Sequence, residues 1–466
     1  MIPTLILTLL VTVSASAPVL TLEEALDLAA KQNLDLVTMR SKLAQARYVS
    51  RKAWAGYLPQ ITATGTYTYN STEAKIAMPT GYLVRDMGTP IGAAFDPAHP
   101  EFGGPTSYAL LPAGFAEAVI QKQHQFAGNL QVSQALIAPS LWTQIESAYL
   151  VEEVAELNLD NARIEVLFAV VQLYYGAEML RESLDVQERL LDVTIQHEKD
   201  AALSFRAGTA PEMTLLRAQI ERSRGEQDLL RTRNAFTTSI IALATALDRE
   251  PTFTVARPAS PSPVGSEPLA SGALERRPDV LAARRSLELS EQERRGVKAR
   301  YLPLLGLFAR YNTQNSKGFT GEYDAWSAGV ALSWTLWDGG LREAELNETS
   351  AKLVERRASL RAQENRARDE LRRAELELES TEANRQKAEE QVRLARKNAD
   401  LVRLSFEAGA ASSLDAVDAN AALRTAELTL ITEQLNAQLA AVKLAKTAGV
   451  FQGGFTTSGT AGSEKP

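Results

Sequence analysis

Tyr57 to Asn70 reads Y-L-P-Q-I-T-A-T-G-T-Y-T-Y-N. Ile61, Ala63, Gly65, Tyr67 and Tyr69 alternate with Thr62, Thr64, Thr66, Thr68 and Asn70, the period-two pattern of a strand with one apolar and one polar face. The phrase returns from Tyr301 as Y-L-P-L-L-G-L-F-A-R-Y-N-T-Q, with Leu305, Leu307, Ala309 and Tyr311 in the places of Ile61, Ala63, Gly65 and Tyr67. The strand is therefore half of an internal repeat, and the chain reads as two similar halves.

The chain has 466 residues, a net charge of −7 and no cysteine. That balance argues against a nucleic-acid surface, and the absence of cysteine excludes disulfides, thiolate metal sites and a lipidated cysteine. Ile2 to Val13 is almost wholly apolar and is followed by Ser14-Ala15-Ser16-Ala17, which reads as a signal peptide over 1–17 cleaved after Ala15 or Ala17. No other stretch approaches the ~20 apolar residues of a transmembrane helix.

Helical spacing predicts a first helix from Leu22 to Trp54, with Thr21 and Glu24 as its capping box. After the Tyr57 strand, Ser71 to Gln123 is dense in proline and glycine and reads as a long irregular loop with a short helix near Gly114 to Gln121. A second strand spans Phe126 to Leu136, with Phe126, Leu130, Val132 and Leu136 on one face. Ser140 to Phe205 reads as one helix of ~65 residues, close to 100 Å long. Ala148, Ala155, Ala162, Ala169, Gly176, Ser183 and Leu190 repeat along it every seventh residue, a seam of mostly small side chains that lets neighbouring helices approach. Ala207-Gly208-Thr209 ends it, and a further helix runs from Pro211 to Asp248.

Residues 18–249 thus form the first repeat, 250–270 a proline-rich linker, 271–450 the second repeat, and 451–466 a disordered tail. The second repeat has a short loop, Ser316 to Tyr323, and a strand in which Trp326, Ala328, Val330, Leu332, Trp334 and Leu336 alternate with small residues. After Asp338-Gly339-Gly340 a second long helix reaches Phe406, with Leu346, Leu353, Leu360, Ala367, Ala374, Thr381, Ala388, Ala395 and Val402 recurring along it every seventh residue. Ala408-Gly409-Ala410 breaks it before a last helix to Ala448.

The expected class is an α+β membrane protein. Four half-apolar strands cannot close a membrane barrel alone, since the smallest need about eight, so the barrel must be shared between chains. Trp326 and Trp334 are spaced for the aromatic girdles of an outer-membrane band. With Trp337, Tyr67 and Tyr311 they make a candidate belt. A water-soluble sandwich is the ordinary alternative for alternating strands, and it leaves the ~100 Å helices without a purpose.

L-T-L-E-E-A-L at Leu20, Y-L-P at Tyr57 and Tyr301, L-x-D-G-G at Leu336 and F-x-A-G at Phe205 and Phe406 together resemble the TolC family of outer-membrane efflux and export channels. The resemblance implies a homotrimer with a shared twelve-stranded β-barrel and a helical coiled-coil tunnel in the periplasm. It implies a periplasmic adaptor and an inner-membrane transporter of the RND, ABC or MFS type as partners. It also places two gate aspartates at Asp415 and Asp418. A family tyrosine and arginine that close the entrance fall at Phe406 and Ala411, and a partner aspartate falls at Thr214, so those closing bonds are absent here. The other reading of Asp415 and Asp418 is that they complement a helix dipole. The near-copies around Phe205, Ala207 and Gly208 and around Phe406, Ala408 and Gly409 are the candidate adaptor-docking tips.

The expected function is a passive exit duct in a tripartite pump or type I secretion system. The alternative is a trimeric coiled-coil scaffold that conducts nothing. No phosphate-binding loop, zinc-protease or nucleophile-elbow motif occurs, and His99, His124 and His197 are scattered, so neither enzyme activity nor a cofactor is expected.

Overall fold

The computed structural model describes residues 18–85, 108–257, 272–316, 322–408 and 410–451. The signal-peptide reading, the tail from Gln452, much of the linker and Gly409 lie outside these residues. In chain order the elements are β1 (Val19–Leu20), α1 (Leu22–Gln32), α2 (Leu34–Ala55), β2 (Gln60–Tyr69), β3 (Ala74–Arg85), β4 (Tyr108–Gln121), β5 (His124–Ile137) and α3 (Pro139–Arg206). They continue with α4 (Glu212–Ala246), β6 (Thr254–Val255), α5 (Ala273–Arg276), α6 (Pro278–Ala299), β7 (Leu304–Gln314), β8 (Asp324–Ser333), α7 (Leu341–Glu407) and α8 (Ser413–Thr447). The two long helices, of 68 and 67 residues, match the expected spans to within a residue or two. Contacts divide the chain into a helical unit (up to residue 50, 146–294 and from 347) and a strand-rich unit (51–145 and 295–346).

In the helical unit, Leu22, Ala25, Leu26 and Ala29 of α1 bury their apolar stripe with Leu167, Val170, Val171 and Tyr174 of α3, Leu243 of α4 and Val442 of α8. Thr21 and Glu24 form the predicted capping box. The Tyr174 hydroxyl lies 2.8 Å from the carbonyl oxygens of both Leu20 and Ala256, which bracket the parallel β1–β6 pair. Burial pushes its pKa up to about 12, so it stays a donor at any physiological pH.

The single first helix expected from Leu22 to Trp54 is two. Asn33 stands between them with φ −56° and ψ 127°. Its Oδ1 accepts from the backbone N–H of Asp35 at 3.0 Å and of Leu36 at 3.2 Å, which caps α2. Continuous apolar periodicity hid this break, because Leu36, Leu43 and Ala46 of α2 are buried at helical spacing just as the stripe of α1 is. Arg277 interrupts the second repeat at the equivalent place, with ψ 119° between α5 and α6.

Of the seam expected on α7, Leu353, Ala367, Ala374 and Ala388 are buried within one chain, while Leu346, Leu360, Thr381, Ala395 and Val402 are half-buried. The seam on α3 is only partly so: Ala148 is buried, Ala169 is exposed, and apart from the backbone of its own helix and its chain neighbours no described atom comes within 4 Å of where a Cβ on Gly176 would stand.

In the strand-rich unit, β2, β5, β7 and β8 form a four-stranded antiparallel sheet in the order β2-β5-β7-β8. Residues 86–107 of the expected long irregular loop lie outside the described residues, and on either side of them the loop and its short helix are overturned. β3 and β4 pair as an antiparallel hairpin from Ala74↔Gln121 to Arg85↔Tyr108, and the Asn70 N–H bond to the Gln123 carbonyl (2.8 Å) lies between it and the β2–β5 ladder. Proline misled the reading. In a two-stranded ribbon both strands are edges, so Pro79 and Pro112 remove no interior bond of a sheet. Gly114 takes up φ +143° near the register shift at Thr80/Gly81.

A candidate channel-forming sheet and two entrance turns

The cross-strand register turns the alternation of the sequence into rows. Ile61, Val132, Ala309 and Ala328 oppose one another in turn, as do Ala63, Leu130, Tyr311 and Trp326. All eight lie on one face. The other face carries Thr64, Asn129 and Asn312 in one row, and Thr62, Gln131, Arg310 and Ser327 in the next. Asn129 Nδ2 donates to Asn312 Oδ1 at 2.6 Å. The apolar face is bare: Trp326 is 79% exposed, and Ile61, Val330 and Leu332 are each more than half exposed. A surface of this kind marks contact with a partner or a membrane.

A bulge corrects one position. Ala135 opposes Gly306, but Ile137 opposes Leu305, so Leu136 is the extra residue and Ile137 takes the facing place expected of Leu136. The last strand is also shorter than expected. Its final pair is Leu304↔Ser333, and with no ladder beyond it Trp334 and Leu336 leave the strand.

Of the candidate belt, Tyr311 and Trp326 face each other across β7–β8. Tyr67 packs on Phe126 with ring centroids 4.9 Å apart, and its hydroxyl meets His124 Nδ1 at 2.8 Å. Trp334 donates its indole N–H to the Tyr301 carbonyl at 3.0 Å, and Trp337 is exposed.

The D-G-G phrase, one of those that carry the family resemblance, is also a packing hub. Gly339 and Gly340 have φ of +73° and +88°, a left-handed turn that side chains resist. Arg342 is buried beside it. Its Nε donates to Asp338 Oδ2 at 2.7 Å, its Nη2 to the Leu336 carbonyl at 3.2 Å, and its guanidinium lies 4.5 Å from the Tyr301 ring centroid.

At the other set of candidate residues, Gly208 has φ +72° and the Thr209 N–H reaches back to the Ser204 carbonyl at 3.0 Å while Gly208 N–H bonds Phe205, the Schellman ending of α3. Ala207 bonds Leu203, and Ala210 also bonds Ser204. The turn after α7 repeats three of these four bonds: Ala408 to Leu404, and Ala410 and Ala411 to Ser405. Ala207 and Ala408 are exposed, as are Phe205 and Phe406 in part, and Phe406 lies against His197 at 6.2 Å.

Asp415 is the third residue of α8, and its carboxylate accepts from the Ser412 N–H at 2.8 Å and from its Oγ at 2.7 Å. Those bonds hold its pKa below the usual range. The helix-start role is thus realised, and a gate role must coexist with it. Asp418 is exposed one turn on, and Thr214 is half-buried with its N–H on the Pro211 carbonyl at 2.9 Å.

Residues 269–450 match the family model of outer membrane efflux proteins. The match covers the second repeat alone. The resemblance read from the short phrases therefore holds. The fold of the whole chain is that of solved channels of this kind. The CmeC outer membrane channel of Campylobacter jejuni superposes with a TM-score of 0.74 at 16% identity, over 94% of this chain and 87% of that one. The VceC outer membrane protein of Vibrio cholerae gives 0.70 at 18%, over 92% and 96%. The MtrE outer membrane channel of Neisseria gonorrhoeae, solved in its open state, gives 0.68 at 17%, over 92% and 88%. No curated protein sequence matches the chain significantly. Among the described residues no helix is long and apolar enough to cross a membrane.

Proposed function

We propose that three copies of this efflux protein close one twelve-stranded barrel in the outer membrane and act as the passive exit duct of a tripartite pump. The observation that carries this reading is the pair of open sheet edges. β2 and β8 are the outer strands and run in opposite directions, so β8 of one copy meets β2 of the next antiparallel and the sheet can close without a defect. The rows fit such closure, with the apolar face toward lipid and the threonine and asparagine face toward a water-filled lumen. Strands of ~10 residues tilted ~40° rise about 25 Å, the height of an outer-membrane apolar band. A scaffold that conducts nothing has no use for a polar inner face.

The exposed Ala169 and open Gly176 on α3 suit the approach of a helix from a neighbouring copy. The two turns, with three bonds in common, suit six similar sites per trimer for the helical tips of a periplasmic adaptor, which would couple the duct to an inner-membrane transporter. Asp415 and Asp418, threefold repeated, would narrow the entrance as rings of carboxylates. In detergent, native mass spectrometry should give a trimer, and planar bilayers should show discrete conductance steps. A stable monomer that opens no channel contradicts the reading. Bulky residues at Ala207 and Ala408 should abolish export while trimer and insertion persist; undiminished export would show that the turns only reverse the chain.

A further inference from the structure

The polar face of the sheet is almost free of charge. Among the described residues of β2, β5, β7 and β8, Arg310 is the one charged side chain on that face; Asp324 falls on the other, opposite Thr313 in a row with Gly128. Arg310 is exposed and makes no ion pair among the described residues. Its guanidinium carbon stands 5.2 Å from the ring centroid of Phe308, two residues earlier on the same face. Phe308 is anomalous there too, an aromatic ring in a row of small and polar side chains. It opposes Gly329, and a Cβ at that glycine would come within 3.1 Å of the ring. Glycine thus lets the ring lie over the neighbouring strand. The polar neighbours Asn129 and Asn312 bond each other, and Arg310 is the one charged donor in its row, beside the neutral amide of Gln131.

We propose that Arg310 and Phe308 form an anion-selecting station in the barrel lumen that takes amphipathic aromatic anions. The inference rests on the shared barrel proposed above. Twelve strands ~4.8 Å apart and tilted ~40° give a backbone radius of about 12 Å. An arginine reaching ~7 Å inward then brings three guanidinium groups to roughly 9 Å from one another, about one Debye length at 0.1 M salt, so their fields overlap. Low-dielectric walls focus such a field along the axis. A carboxylate or sulfonate accepts the planar pair of N–H donors, and an attached aromatic ring finds Phe308 beside it. A small anion would use the charge alone.

The full-length protein in planar bilayers under a KCl gradient tests this, with naphthalene-1-sulfonate as the blocking probe. Arg310→Gln should move the reversal potential toward potassium preference and weaken block by roughly tenfold, whereas Arg310→Lys keeps the wild-type reversal potential. Phe308→Leu should leave the reversal potential in place and weaken block severalfold. An unchanged reversal potential in Arg310→Gln trimers overturns the anion station, and unchanged block in Phe308→Leu overturns its aromatic half. A wild-type protein that opens no channel overturns the shared barrel, and this station with it.

Discussion

Asn33 donates from its Nδ2 to the backbone carbonyl of Ala246 at 2.9 Å, so the junction between α1 and α2 is pinned to the end of α4. In the second repeat Arg277 makes the equivalent link to the Thr447 carbonyl at the end of α8, at 3.5 Å, and adds ion pairs to Asp279 and Glu370 at 2.7 Å each. One backbone solution is thus reached by two side chains. Both satisfy a carbonyl that a helix end leaves without a partner.

Asn33→Ala removes the cap of α2 and strips Ala246 of its donor in a site where Asn33 is only 8% exposed. The expected cost is about 1–3 kcal/mol, read as a lower denaturant midpoint by helical circular dichroism. Asn33→Asp, which keeps the cap acceptor and loses the donor, should fall between the two.

Asp338→Ala leaves the buried guanidinium of Arg342 without its carboxylate. Breaking such a pair costs about 3–5 kcal/mol. The expected outcome is a large drop in the thermal midpoint in detergent. The double substitution Asp338→Asn with Arg342→Met should recover part of it, because no unpaired charge then remains.

Glu178 supplies a pH dependence. It is 7% exposed, and burial first and the Glu182 carboxylate second push its pKa up to about 7, against the opposing pull of Arg181 and Arg257. Tyr174 and Tyr175 also adjoin it. The unfolded chain releases this proton near 4.5 and the folded chain near 7, so the fold binds more protons in between. Stability from this group is full below the lower value and declines as pH rises through the window. Thermal midpoints should therefore fall from pH 5 to pH 7 in the wild type, and the slope should flatten in Glu178→Gln.

Asp415 and Asp418 separate two roles. Asp415→Ala should lower helix stability and also change cation block, since its carboxylate bonds Ser412. Asp418→Ala should change block alone. If bilayer recordings of Asp418→Ala match the wild type in selectivity and block by multivalent cations, the ring at the entrance is not a gate.

The strand faces, the long helices and the paired turns were legible because each rests on a local period or a glycine. The Tyr311–Trp326 row follows from alternation once the register is known. What escaped the sequence rested on long-range partners. Asn33 looks like any helix residue until its Ala246 carbonyl is in place. The β3–β4 hairpin hid behind prolines that only edge strands tolerate, and the bulge at Leu136 needed β7 beside it. Arg310 was visible as a charge on a polar face. Its isolation became visible only when all four strands were aligned.

The central claim is that β8 of one copy pairs with β2 of the next. The chain has no cysteine, so introduced pairs can be read without background. Thr64→Cys on β2 combined in turn with cysteine at each position from Ala325 to Ser333 on β8 should give at least one pair within the 4.4–6.8 Å Cα reach of a disulfide. Oxidation in isolated outer membranes should then yield covalent dimers and trimers on denaturing gels for residues on one face of β8, and none for the single variants. A scan in which every pair stays monomeric, in protein that is inserted and folded, would contradict the shared barrel.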